Sequence, residues 1–165
     1  MSEITFEVTP KQQLSMLTRI FVVYGAIGIV YVYLQGFTLK RPFLIIFLVM
    51  FSLDILPALI AHIQYWIANK NAILKIDKEH QQLSYATPTG TQVHNFDDII
   101  SLQHFASYAG GSWYSFSEYR YFKITFKDNN EIIVTCLMVA DIKDVFELLL
   151  SRKAEKKLSV VAFIK

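Results

Sequence analysis

The chain is poor in the residues that carry covalent or metal chemistry. It has 165 residues and one cysteine, Cys136, so no internal disulfide can form. No Cys/His spacing of the metal-binding kind occurs either. Cys136 lies in a strand-like run, Ile132 to Leu137, and reads as a small buried hydrophobe. Charge is also scarce: a net +2 and a pI near 8.6, with no clustered basic face, exclude a nucleic-acid partner. There is no phosphate-cradling glycine loop, no Gly-x-Ser-x-Gly elbow and no His-Glu-x-x-His helix. His80, His94 and His104 are scattered with no nucleophile beside them, and Asp97-Asp98 reads as turn chemistry. No catalysis, cofactor or metal is implied. The first residues, Met1 to Glu7, lack the basic start of a cleavable signal, and 1–15 is expected as an N-terminal segment of the mature protein.

What the chain has in excess is hydrocarbon. Its 53% hydrophobic residues and mean hydropathy of +0.35 exceed what a water-soluble domain of this size hides. The excess is concentrated between Ile20 and Ile67. From Ile20 to Phe37 no residue is charged, and this stretch spans about 27 Å as a helix, close to the roughly 30 Å hydrocarbon core of a bilayer. Thr38 to Pro42 forms a short polar link into a second span, from Phe43 to about Ile63. A water-soluble helical hairpin would show a polar stripe, but Ile20–Leu34 and Phe43–Leu53 are apolar all round. Residues 16–68 therefore read as a two-helix transmembrane hairpin, with Tyr65 and Trp66 marking its exit from lipid. Lys11, Arg19, Lys70, Lys75 and Lys78 flank the termini, against Lys40 and Arg41 in the link. That bias predicts both termini on the cytoplasmic side.

Asp54 falls midway along the second span, where a carboxyl costs at least about 2.5–3.5 kcal/mol on insertion scales. Pro57 follows, lacks an N–H and predicts a kink, and His62 lies beyond it. These three are the intramembrane polar candidates. Asp54 and His62 form either a proton relay or ion site, or a structural feature in which Asp54 is protonated or bonded to Tyr24, Tyr31 or a neighbouring subunit.

After Asn71 short apolar runs alternate with turn chemistry, as in an antiparallel sheet or small barrel. Strands are expected over Ile73–Ile76, Gln82–Thr87, Thr91–Phe96, Ile99–Phe105, a run through Phe122, Ile124 and Phe126, and Glu131–Leu137. Asn129-Asn130 suits the last hairpin, because Asn tolerates positive φ. Ile142, Val145, Phe146, Leu149 and Leu150 form a single stripe on a C-terminal amphipathic helix. The domain is placed at 72–152 and a tail at 153–165, which is either an added strand or a patch against the membrane.

This order of strands and one closing helix resembles the pleckstrin-homology-like (PH-like) fold. With the hairpin before it, the chain is similar to bacterial membrane proteins that carry a PH-like domain. The residues involved are Ile76 to Leu83 as first hairpin, Phe96 to Ile99 entering the next strand, and Ile132 to Leu137 before the helix. The resemblance implies a membrane-anchored interaction or scaffold module; the alternative is a small transport or channel component built on Asp54. Lipid-binding PH domains cluster basic residues around the first strand pair. Here Lys70, Lys75 and Lys78 are the candidates for contact with a lipid surface, against a solvated sheet face. Tyr108, Trp113, Tyr114 and Phe116 surround Gly110-Gly111 in one loop. They are candidates for gripping a protein partner or the bilayer interface, against folding back on their own sheet. The partners expected are the lipid bilayer and a protein, or a second copy through the spanning helices.

Overall fold

The structure is a computed structural model that describes residues 3–35, 41–108, 114–140 and 154–164. Among the described residues eight strands form two four-stranded sheets, and one of three α-helices packs on the second sheet.

The first strand comes from the segment assigned no structure above. In Glu3–Glu7 (β1), Ile4 and Phe6 alternate with polar residues, the period-two signature of a strand. β1 pairs antiparallel with β2 (Ile73–Asp77), setting Phe6 opposite Leu74. The sheet domain therefore begins at the N-terminus, and the composition change near residue 72 is internal to it. β3 (Gln82–Thr87) and β4 (Gly90–Asn95) complete this sheet in the order β1-β2-β3-β4. The β2–β3 link closes on the Asp77 carboxyl, which accepts from the backbone N–H groups of Glu79 and His80.

A single 3-10 turn, Phe96–Asp98, capped reciprocally by Asn95 and Asp98, leads into β5 (Ile99–Ser107) and the second sheet. β6 (Arg120–Phe126) and β7 (Glu131–Thr135) form the expected hairpin, with Asn129 at φ +62°. In the tail, Glu155–Ser159 is an added strand, β8, parallel to β5. The expected helix over 142–150 lies outside the described residues.

The sheets enclose one core: Leu74, Ile76 and Leu83 from the first meet Phe122, Ile124 and Val134 from the second. The opposite face of the second sheet holds another core, where Tyr119, Tyr121 and Cys136 pack against Ala58, Ala61 and Tyr65 of the helices.

Helix α1 (Pro10–Gln35) opens on a reciprocal cap, in which the Thr9 hydroxyl accepts from the Gln12 N–H and the Gln12 amide oxygen accepts from the Thr9 N–H, with Pro10 next in line. Helix α2 (Arg41–Met50) runs through a π turn, Phe51–Ile55, into α3 (Leu56–Asn69). Among the described residues one helix, Arg41–Asn69, is long and apolar enough to cross a membrane, whereas the apolar part of α1, Tyr24–Leu34, is shorter.

Candidate functional site

The polar residues of the second apolar stretch gather where the helices meet the sheets. Pro57 has no N–H to continue the ladder, and directly before it the chain takes a wider turn, the Leu56 N–H donating to the Phe51 carbonyl five residues back. The expected kink is thus a π turn, and it aims Asp54 at the sheet domain. Asp54 is 3% exposed. Its Oδ2 accepts from the Tyr24 hydroxyl at 2.8 Å and the Ser115 hydroxyl at 3.0 Å, and its Oδ1 accepts from the Ser115 N–H at 2.6 Å. Three donors satisfy a buried carboxyl that would otherwise be costly. Tyr24 was among the partners the sequence allows. Ser115 was not, because nothing in the sequence says that the 108–116 loop returns to the helices.

Further bonds follow down α3. His62 Nδ1 lies 3.1 Å from the Tyr119 hydroxyl, and the Tyr65 hydroxyl donates to the Ala162 carbonyl at 2.5 Å. The Asn69 amide donates to the Tyr85 hydroxyl and the Ile133 carbonyl, and its oxygen accepts from the Thr135 N–H at 3.0 Å. Asp54 and His62 therefore bond to different partners, about two helical turns apart. Each acts as a bracket between the helix and the sheet domain. Asn69 belongs to the same series, and so does Tyr65, which the sequence suggests only as a marker of the exit from lipid. Burial pushes the Tyr119 hydroxyl above the ordinary tyrosine range and the Cys136 thiol up to about 12.

The loop candidates divide. Phe116 is buried in the second core, stacked on Tyr114 at 5.2 Å, whereas Tyr108 is exposed. Trp113 lies outside the described residues. The lysines divide too. Lys70 sits over the Trp66 ring at 4.9 Å, Lys75 pairs with Glu3 at 2.8 Å, and Lys78 stands exposed in the β2–β3 turn. Lys70 is about 24 Å along the helix from Asp54 at 1.5 Å per residue, so the three do not gather at the hairpin root. Among the described residues no group of three His, Cys, Asp or Glu could hold a metal ion.

Beyond Asp54 the described residues of the helices lie away from the sheets. No residue of α2 is buried among those described, and Ile45, Ile46, Leu48 and Val49 are half exposed or more. On α1 the same holds for Ile29, Val30, Tyr33 and Leu34. An apolar cleft of about 320 Å³ opens between the two arms beside Tyr24, lined by Phe21, Gly25, Phe47 and Phe51.

No curated protein and no solved structure is significantly similar to the chain. A PH domain family, by contrast, matches residues 5–143, from β1 through the helices and past β7. A match over most of the chain, on a domain of two antiparallel-paired sheets, is what assigns it: the chain belongs to the PH domain family.

Proposed function

We propose that the chain is a membrane-anchored interaction module, whose sheet domain works as a scaffold on the cytoplasmic face of a bilayer. PH domains are typically non-catalytic interaction modules that bind lipids or proteins. The observation that carries the anchoring is the pair of helical arms beyond the Tyr24–Asp54 contact, apolar on every side and packed on no sheet. In water such a surface would be a liability; in lipid it is the right one.

The Asp54–Ser115 contact also supports a depth. Irregular backbone exposed to lipid does not occur within hydrocarbon, so the 114–118 turn belongs at or outside the headgroups. From there Arg41 is about 20 Å away along the helix, against a core of about 30 Å. A span of that length requires local thinning of the bilayer and a long arginine stem reaching for the far headgroups. The pairing of β1 with β2 supports both ends of the hairpin on one side, and the basic residues flanking the termini favour the cytoplasm. The alternative, a transport role built on Asp54, has less support, since Tyr24 and Ser115 of the same chain bond both carboxyl oxygens.

Alkaline carbonate extraction of native membranes tests the anchor, with the wild-type chain expected in the pellet. Replacing Ile45, Leu48 and Val49 with Asn should release it. Release of the wild type would end the membrane reading. Affinity capture of full-length protein, with and without Tyr108→Ala, then reads the interaction role.

A further inference from the structure

We infer that α3 is a self-association seam through which two copies of the chain pair side by side. The face of α3 opposite its brackets carries Leu53, Leu56, Ile60, Ile63 and Ile67, the first of these from the π turn. Their spacing of three, four, three and four residues is that of a two-heptad seam. They are 68, 49, 41, 54 and 60% exposed, and no Asp, Glu, Lys or Arg falls within positions 55–67. Ala58, Ala61, His62, Tyr65 and Asn69, the buried residues, lie on the opposite side of the same helix. A helix packed on one face by its own domain normally turns charge to water on the other. This one turns a row of leucines and isoleucines.

The occupant follows from the level at which the row lies. Most of it, Leu56 to Ile67, runs away from the hairpin, alongside the second sheet; Asn69 at its end bonds to β7, where Lys123 and Glu131 form a water-facing ion pair at 2.8 Å. Acyl chains cannot cover that flank if the 114–118 turn stays out of hydrocarbon, a step that rests on the membrane reading above. A second copy can, because both hairpins enter the same bilayer from the same side and bring their α3 helices together in parallel. Covering these five side chains on both copies approaches the roughly 1,000 Å² that a specific interface needs. Short arms also favour pairing, one of the ways a hairpin accommodates a bilayer thicker than itself.

The test uses the full chain in phosphatidylcholine nanodiscs. Ile63→Cys and Val93→Cys, two half-exposed apolar positions, are oxidised in parallel, with wild type as control for Cys136, which is buried. Pairing predicts a disulfide-linked dimer at Ile63→Cys in roughly tenfold greater yield than at Val93→Cys, on the far sheet. Light scattering should give the mass of two chains for wild type. Ile60→Lys with Ile63→Lys should give one, with Cys136 still unreactive as proof that the fold survives. A one-chain mass for wild type, or equal cross-linking at the two positions, overturns the pairing. Carbonate release of the wild type would instead remove the membrane reading beneath it, so the two failures are told apart.

Discussion

Helices α2 and α3 form one continuous rod of similar composition, yet they live in different surroundings. Nothing on α2 is buried among the described residues, while α3 buries five residues against the sheets. The difference lies in their polar residues. From Arg41 to Leu53 the only uncharged polar side chain is Ser52, whose hydroxyl donates to its own helix at the Leu48 carbonyl, 2.8 Å away. From Asp54 to Asn69 the series Asp54, His62, Tyr65 and Asn69 keeps to one side of the helix, and each bonds to the sheet domain or its tail. Hydropathy averages over both halves and reports one span. The spacing of four polar groups separates a half that belongs to the domain from a half that does not.

The sharpest way to break the comparison is to remove a bracket and match it with a change on the free half. Asp54→Ala strands the Tyr24 hydroxyl and both Ser115 donors in a buried site, and we expect a loss of about 3–5 kcal/mol of domain stability. Asp54→Asn keeps one acceptor and should lose less. Leu48→Ala on α2, 53% exposed, should stay within about 0.5 kcal/mol. Thermal unfolding in detergent, followed by tyrosine and tryptophan fluorescence, measures all three. Equal losses for Asp54→Ala and Leu48→Ala would dissolve the distinction between the halves.

Next in size is Asn69→Ala, which leaves the Thr135 N–H and the Ile133 carbonyl short of a partner beneath α3. About 2–3 kcal/mol should be lost. Tyr65→Phe keeps the ring contacts with Tyr119 and Tyr121 and deletes one hydrogen bond, for about 1 kcal/mol. The same unfolding assay ranks them. The reverse order would mean that the Tyr65 hydroxyl, more than the Asn69 amide, fixes α3 to the domain.

These brackets mark the limit of what the sequence makes legible. Strands with clear alternation fall where expected: Gln82–Thr87 without change, and Phe122, Ile124 and Phe126 facing the core. β1 carried the same signal in Ile4 and Phe6, but its partner lies about seventy residues away, beyond any local pattern. Ser115 is harder still. One hydroxyl and one N–H at the end of an aromatic loop reveal their role only once the chain has brought Asp54 to them. The side on which Asp54, His62, Tyr65 and Asn69 align was visible at helical spacing, masked by the apolar residues between them.

A smaller effect probes the domain half chemically. Cys136 is buried between α3 and the sheet, with its thiol pushed up to about 12. Thiolate is the reactive form, so at neutral pH alkylation should wait for unfolding. Intact-mass measurement after maleimide treatment should show no adduct on the wild type, and an adduct on Asp54→Ala, whose helices are loosened. Rapid labelling of the wild type would place α3 off the sheet in solution.

The least costly change lies farthest from the helices, in the β2–β3 turn. His80 Nδ1 lies 2.7 Å from Asp77 Oδ2, and the contact holds the exposed His80 above its ordinary 6.5. The same hydrogen bond from His80 is the first cause holding Asp77 below 3.8. The histidine's contribution is complete below pH 6.5 and fades as pH rises through its raised value; the aspartate's is present above pH 3.8 and fades as pH falls through its lowered one. The pair is therefore intact across the mildly acidic range and gone in alkali. Asp77→Asn should bring the His80 midpoint, read by NMR, back toward 6.5 while leaving the unfolding temperature nearly unchanged, because an exposed pair adds little to stability. A midpoint that does not move would show that the turn is closed by the backbone bonds to Asp77 alone. Should the unfolding temperature fall as far as in Asn69→Ala, the turn would rank with the brackets, and the contrast between held and free surfaces would have to be redrawn.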